Sequence, residues 1–195
     1  DTALTALQIA DLEAGTDVET NLVGHWLGNT DDLNDMAGTN DGTHLGSTYA
    51  LPEPHPSFGN ASRKFDGTQA IIIGDVLDDV FTGGSFSWSF WAKRNSQDST
   101  QLIISKHADG ANTPSEDNRQ FVCSFRDNTV GRSLTFGWYG TLTSTAYRFK
   151  KTTTPILVAD GWQHFVCVYD HTAATNDRAK IYRNGVLDME DWLNL

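Results

Sequence analysis

The chain has 195 residues, of which 38% are hydrophobic and 20% charged, with a formal net charge of −11 from 25 acidic and 14 basic residues. That length suits one domain with a sizeable core, and no run approaches the roughly 18 apolar residues of a membrane span. So acidic a surface repels a nucleic-acid backbone and an anionic bilayer, so neither nucleic acid nor membrane insertion is expected.

Residues 1–21 differ from the rest. Leu4, Leu7, Ala10 and Ala14 approximate helical spacing and Gly15 is a suitable stop, so a short N-terminal helix or arm is expected there. It has neither the basic n-region nor the apolar h-region of a signal peptide. The main domain is expected over 22–195.

From Leu22 onward, short β-branched and aromatic runs alternate with Gly, Asn, Asp and Thr clusters. LVGHWLG is the first strand candidate. SRKFDGTQAIIIG holds two, broken at Asp66-Gly67. FSWSFWAKR, QLIISKH, QFVCSFRD, SLTFGWYG, AYRFKKT, WQHFVCVYD and AKIYRNGV follow. Phe86, Trp88, Phe90 and Ala92 share one face of their strand, with Ser87, Ser89 and Trp91 on the other. Phe121, Cys123 and Phe125 align, as do Phe165, Cys167 and Tyr169. This period of two fits half-buried antiparallel sheet. Asn184-Gly185 reads as a tight hairpin turn. The expected fold is all-β, an antiparallel two-sheet jelly-roll sandwich. Trp26, Trp88 and Trp162 are expected to fill core.

The two cysteines, Cys123 and Cys167, form no disulfide framework. Each sits in an apolar alternation. They read as free buried thiols, or as one disulfide if their strands are neighbours.

Two acidic loops offer oxygen ligands for a hard cation such as calcium. NTDDLNDMAGTND carries Asp31, Asp32, Asp35, Asn40 and Asp41, and Asx-rich turns have the same appearance without metal. Zinc is not expected, because the six His are scattered singly with no HExxH or CxxC. Trp91, Trp138 and Tyr139 are the candidate ligand-stacking aromatics. Because Trp138 and Tyr139 are adjacent, they point to opposite faces. No catalytic residues are assigned: there is no G-x-S-x-G elbow and no phosphate loop. Asn60-Ala61-Ser62 is a lone glycosylation sequon.

Taken in order, LVGHWLGN, NDMAGTNDGT, SRKFDGTQAIII, FSWSFWAKR, LIISKH, DGWQHFVCVYD and IYRNGV resemble a laminin-G-like domain of the concanavalin A-like lectin/glucanase superfamily, a fold related to the pentraxins. The resemblance spans residues 22 to 187. It implies a concanavalin A-like sandwich in an extracellular, cell-surface or virion-surface setting. It also implies that Asp117-Asn118 occupy the place of a pentraxin Asp-Asn pair that helps to hold calcium. His164, in a WxH-like opening, is expected to be structural. Glucanases of this fold carry an E-x-D-x-x-E strand; here the nearest acids, Asp188, Glu190 and Asp191, have the wrong spacing. By comparison with the family, the C-terminal strands are missing after DMEDWLNL, which implies an edge completed by the arm or by another chain. The expected function is a non-catalytic recognition module for glycan or protein ligands, assisted by calcium. The alternative is a structural or decorating protein contacting other chains of an assembly such as a virion shell, tail appendage or surface layer. A glycoside hydrolase is the disfavoured third reading.

Overall fold

The structure, a computed structural model, describes residues 22–26, 33–46, 49–50, 62–74, 76, 84–96, 100–107, 119–126, 132–139 and 147–192. The expected helix or arm over 1–21 lies outside them, as do Asp31, Asp32, Asp117, Asn118 and Asn60. The described residues fall into two compact units, 22–76 and 84–192.

In the first unit, β1 (Thr43–Leu45) pairs antiparallel with β4 (Ala70–Ile72), and β2 (Tyr49–Ala50) with β3 (Ser62–Arg63). The expected break at Asp66-Gly67 lies between β3 and β4. Asp66 accepts hydrogen bonds from the Thr68 amide at 2.9 Å and hydroxyl at 2.7 Å, which is Asx-turn chemistry. The stretch around Trp26, expected as a strand, is a strand only in miniature. Among the described residues Trp26 makes one isolated bridge, to Asp35. Its half-buried indole Nε1 donates to the Asn40 carbonyl at 2.9 Å.

The second unit is a two-sheet sandwich. One sheet has the order β12-β11-β10-β5, from β5 (Phe86–Ala92), β10 (Gln163–Tyr169), β11 (Ala179–Arg183) and β12 (Val186–Leu187). The other has the order β13-β9-β8-β7-β6, from β6 (Gln101–His107), β7 (Arg119–Phe125), β8 (Leu134–Tyr139), β9 (Tyr147–Lys151) and β13 (Glu190–Trp192). All of these pairings are antiparallel. The β6–β9 meander follows from the alternation and turn residues of the sequence. β13 does not, because its residues read as an acidic cluster.

The period of two places the core. From the four-stranded sheet come Phe86, Phe165, Cys167, Tyr169, Ala179 and Ile181; from the five-stranded sheet come Phe121, Cys123, Phe125, Leu134 and Phe136. Burying a large apolar side chain stabilises by about 1.5–3 kcal/mol each. Aromatic rings knit the two layers: Phe86 lies 5.6 Å from Phe121, Trp88 lies 5.2 Å from Phe121, and Phe125 meets Phe165 edge-on at 5.8 Å. Trp88 thus packs on the core as expected, partly buried.

Cys123 and Cys167 are free, fully buried thiols. They belong to opposite sheets rather than to neighbouring strands. Their sulfurs lie 3.8 Å apart across the interior.

Hydrogen-bonded corners hold the ends of the sandwich. Asn184 and Gly185 have φ of 49° and 74° and close the two-residue hairpin between β11 and β12, as Asn-Gly sequences favour. Buried Arg94 donates from Nε to the Ser96 carbonyl at 3.1 Å and lies 5.4 Å from the centroid of the Phe125 ring. Asp188 accepts from the Thr153 and Thr154 amides at 2.8 and 3.2 Å and from the Thr153 hydroxyl.

Candidate functional site

The outward face of the four-stranded sheet carries the most developed arrangement. Alternation turns Ser87, Ser89 and Trp91 of β5 away from the core. The register sets Trp91 directly opposite His164 of β10. Their rings lie 5.1 Å apart at 34°, a tilted stack. The Ser89 hydroxyl meets His164 Nε2 at 2.8 Å. His164 is 1% exposed, whereas Ser89 is exposed and Trp91 half-buried. Beside them, Val166 and Val168 are buried and pack with Tyr182.

The main chain of His164 is held as firmly as its ring. Its amide donates to Asn184 Oδ1 at 2.9 Å, and its carbonyl accepts from the Asn184 amide at 2.9 Å. Asn184 also donates to Gln163 Oε1 at 2.7 Å. Arg183 donates to the same Gln163 oxygen at 3.0 Å and pairs with Asp160 at 2.8 Å. The Asn184-Gly185 turn therefore braces the strand that positions His164 and, through it, Trp91. His164 is thus buried, bonded to Ser89 and stacked on its cross-strand neighbour Trp91.

Ser89 and His164 have the spacing of a nucleophile and a base. The surroundings differ from those of hydrolytic sites. Ser89 sits mid-strand on a pleated face, and the ladder pairs β5 with β10 along its whole length, so the neighbouring amides lie in the sheet plane. An oxyanion hole needs amides aimed at the reacting oxygen.

The other sequence candidates are dispersed. Trp138 and Tyr139 lie on β8, paired in register with Arg148 and Tyr147 of β9. Both lie in the five-stranded sheet, whereas Trp91 lies in the four-stranded one.

Asp35 is buried in the first unit, where its carboxylate gathers backbone donors: His25 at 2.8 Å, Ala37 at 3.1 Å and Asn40 at 3.3 Å. Burial raises its pKa, but the amides of His25, Ala37, Asn40 and Gly38 together outweigh this and hold it below the ordinary carboxylate value. Asp41 Oδ1 in turn accepts from the Asp35 amide at 2.9 Å. Among the described residues, no three His, Cys, Asp or Glu side chains gather as a metal site. Nor is any helix of the described residues long and apolar enough to cross a membrane. Two of the three C-terminal acids are engaged: Asp188 with the Thr153-Thr154 corner, and Glu190 with Lys151 at 2.9 Å.

The laminin-G-type family model of the concanavalin A-like lectin/glucanases superfamily matches residues 65–191, well over half of the chain. The chain belongs to the concanavalin A-like lectin/glucanases superfamily. The two antiparallel sheets of the second unit are the sandwich that membership requires, as the resemblance implied. No curated protein and no solved structure matches the chain. The superfamily's description covers both lectins and glucanases, so membership fixes the scaffold and suggests a lectin-like binding module, leaving the ligand to the chain's own residues.

Proposed function

We propose that this superfamily member is a non-catalytic recognition module whose outward Trp91 contacts a glycan or a protein ligand. The observation that carries the reading is the Trp91–His164 stack: a half-buried indole on the sheet face turned away from the aromatic core, held against the buried imidazole of its cross-strand neighbour. Such a ring is ordered before binding, so little side-chain entropy is lost when a sugar face or an apolar side chain meets it. Exposed Ser89 supplies an adjacent hydroxyl for a polar contact. An extracellular, cell-surface or virion-surface setting belongs to the same proposal. So does calcium, for which Asp31, Asp32, Asp35, Asp41, Asp117 and Asn118 are the candidate ligands.

A glycan array and a panel of immobilised extracellular proteins, probed with the chain and with Trp91→Ala, test the reading. A ligand whose binding falls at least tenfold in the variant supports it. Binding that is unchanged in the variant removes Trp91 from the contact, and slow hydrolysis of any bound glycan overturns the non-catalytic assignment.

Membership of a larger assembly is the second reading. β12 (Val186–Leu187) stands at the edge of its sheet and carries two exposed apolar side chains, Val186 and Leu187. Such an edge offers main-chain groups to a strand from another chain. Light scattering across a concentration series tests it, with a strictly monomeric chain counting against it.

A further inference from the structure

Cys123 sits in β7 and Cys167 in β10, interior strands of the two facing sheets. Both side chains have no exposed surface, and both belong to the shared aromatic core. Their sulfurs are already neighbours at 3.8 Å. A disulfide needs about 2.05 Å, so the remaining gap is roughly 1.8 Å. Such proximity across a sandwich makes the pair a cross-link site as well as a packing contact.

We propose that Cys123 and Cys167 are a latent inter-sheet latch, joined as a disulfide when the chain folds in the presence of a small-molecule disulfide and left as sealed thiols when it folds without one. The chemistry is thiol–disulfide exchange. The thiolate sulfur of one cysteine attacks a sulfur of glutathione disulfide; the S–S bond breaks, and one glutathione thiolate leaves. The second cysteine thiolate then attacks the protein sulfur of that mixed disulfide, closing the Cys123–Cys167 bond and releasing the second glutathione. The two protein thiols lose two electrons and two protons, and glutathione disulfide gains them as two thiols.

The timing follows from the packing. A glutathione adduct has no room between Phe86, Phe121, Phe136 and Phe165, which surround the same interior. Burial, and then the neighbouring Cys167 sulfur, push the Cys123 thiol up and suppress its thiolate in the folded state. Exchange therefore precedes the closure of the two sheets. Once they close, either state is locked in, and the pair keeps a record of the redox conditions under which the chain folded. The bond would close a loop spanning 44 residues of sequence separation, long enough to restrict the unfolded chain substantially.

The test compares two treatments of the full chain. Reduced chain in denaturant is refolded with a mixture of glutathione disulfide and glutathione, and folded reduced chain is held in the same mixture. The refolded monomer is expected to lose two hydrogens in mass, to yield one peptide pair joining Cys123 to Cys167, and to melt roughly 5–15 °C higher than the reduced form. The folded reduced chain is expected to keep both thiols over the same interval. Two free thiols, glutathione adducts or intermolecular pairs after refolding would overturn the proposal, as would a cross-linked form that melts below the reduced one. Oxidation of the folded chain as fast as the refolding chain would overturn the sealing. Because the wild-type chain carries the test, it does not depend on whether Cys123→Ser or Cys167→Ser folds.

Discussion

Phe149 of β9 packs so closely against Gly137 of β8, its cross-strand partner, that a β-carbon on Gly137 would overlap the Cε1 and Cδ1 atoms of the ring. The glycine is there because the ring occupies the space of a side chain. Gly137→Ala should therefore destabilise by about 1–3 kcal/mol, the usual cost of overpacking. Chemical denaturation would show this as a lower midpoint at unchanged slope. Adding Phe149→Leu to Gly137→Ala should recover part of the loss, because the clash is with the ring. If Gly137→Ala has wild-type stability, the close contact is not a constraint.

Asp35 makes the first unit sensitive to acid. Its pKa is lowered in the folded state by the surrounding amides, against the opposing effect of burial. The folded carboxyl therefore binds its proton less readily than the unfolded one. Its stabilising contribution is complete above the unfolded value of about 3.9 and is lost as the pH falls through the lower folded value. Asp35→Asn should weaken the chain at neutral pH, because an amide nitrogen, itself a donor, would replace one of the two oxygens that accept from His25 and Ala37 and from Asn40. It should also flatten the loss of stability below about pH 4. Tryptophan fluorescence at Trp26, whose indole is bonded to the same loop, can follow both effects. Parallel acid profiles for the two proteins would refute the assignment.

The turn behind His164 should matter to its stability. Gly185 has φ of 74°, where a β-carbon costs roughly 1 kcal/mol. Gly185→Ala should lower the melting temperature by a few degrees. Asn184→Ala should cost more than its exposed position suggests, since it removes the acceptor of the His164 amide and a donor to Gln163. Equal stability for both variants and the wild type would show that the hairpin is not a brace.

Asp188 and Glu190 separate a structural from a catalytic use of the C-terminal acids. Asp188→Ala removes the acceptor of two amides and a hydroxyl and should destabilise by about 1–3 kcal/mol. Glu190→Gln loses one half-exposed ion pair with Lys151 and should change stability by less than about 1 kcal/mol. Any glycan bound by the chain should bind both variants alike. A selective loss of hydrolysis in either variant would revive the glucanase reading.

These contrasts show what the sequence carried. Strands such as Phe86–Ala92 and Gln163–Tyr169 were legible because an apolar side chain on every second residue is a local property. The separation of Ser89 and Trp91 from the core face was legible for the same reason. The Trp91–His164 stack was not, because it rests on a pairing between strands more than 70 residues apart, which no local pattern encodes. β13 escaped notice because Glu190 and Asp191 mask its short apolar content, and its pairing with β9 is again distant. Asp35 was ambiguous for a chemical reason: a carboxylate that collects amide protons and one that collects a cation use the same Asx-rich turn sequence. Cys123 and Cys167 were correctly placed on buried faces, but that they belong to opposite sheets is a fact of topology.

The pairing of β13 with β9 also bears on how the sandwich can be handled. Glu190, Asp191 and Trp192 occupy the outer ladder of the five-stranded sheet, opposite Lys151, Lys150 and Phe149. A recombinant version trimmed just before Glu190 would uncover the hydrogen-bonding groups of β9 along that edge, and the freed strand would be open to pairing with another molecule. The last few residues of the family match are thus a solubility element, and a shortened protein that clumps would be reporting a missing strand rather than a biological partner.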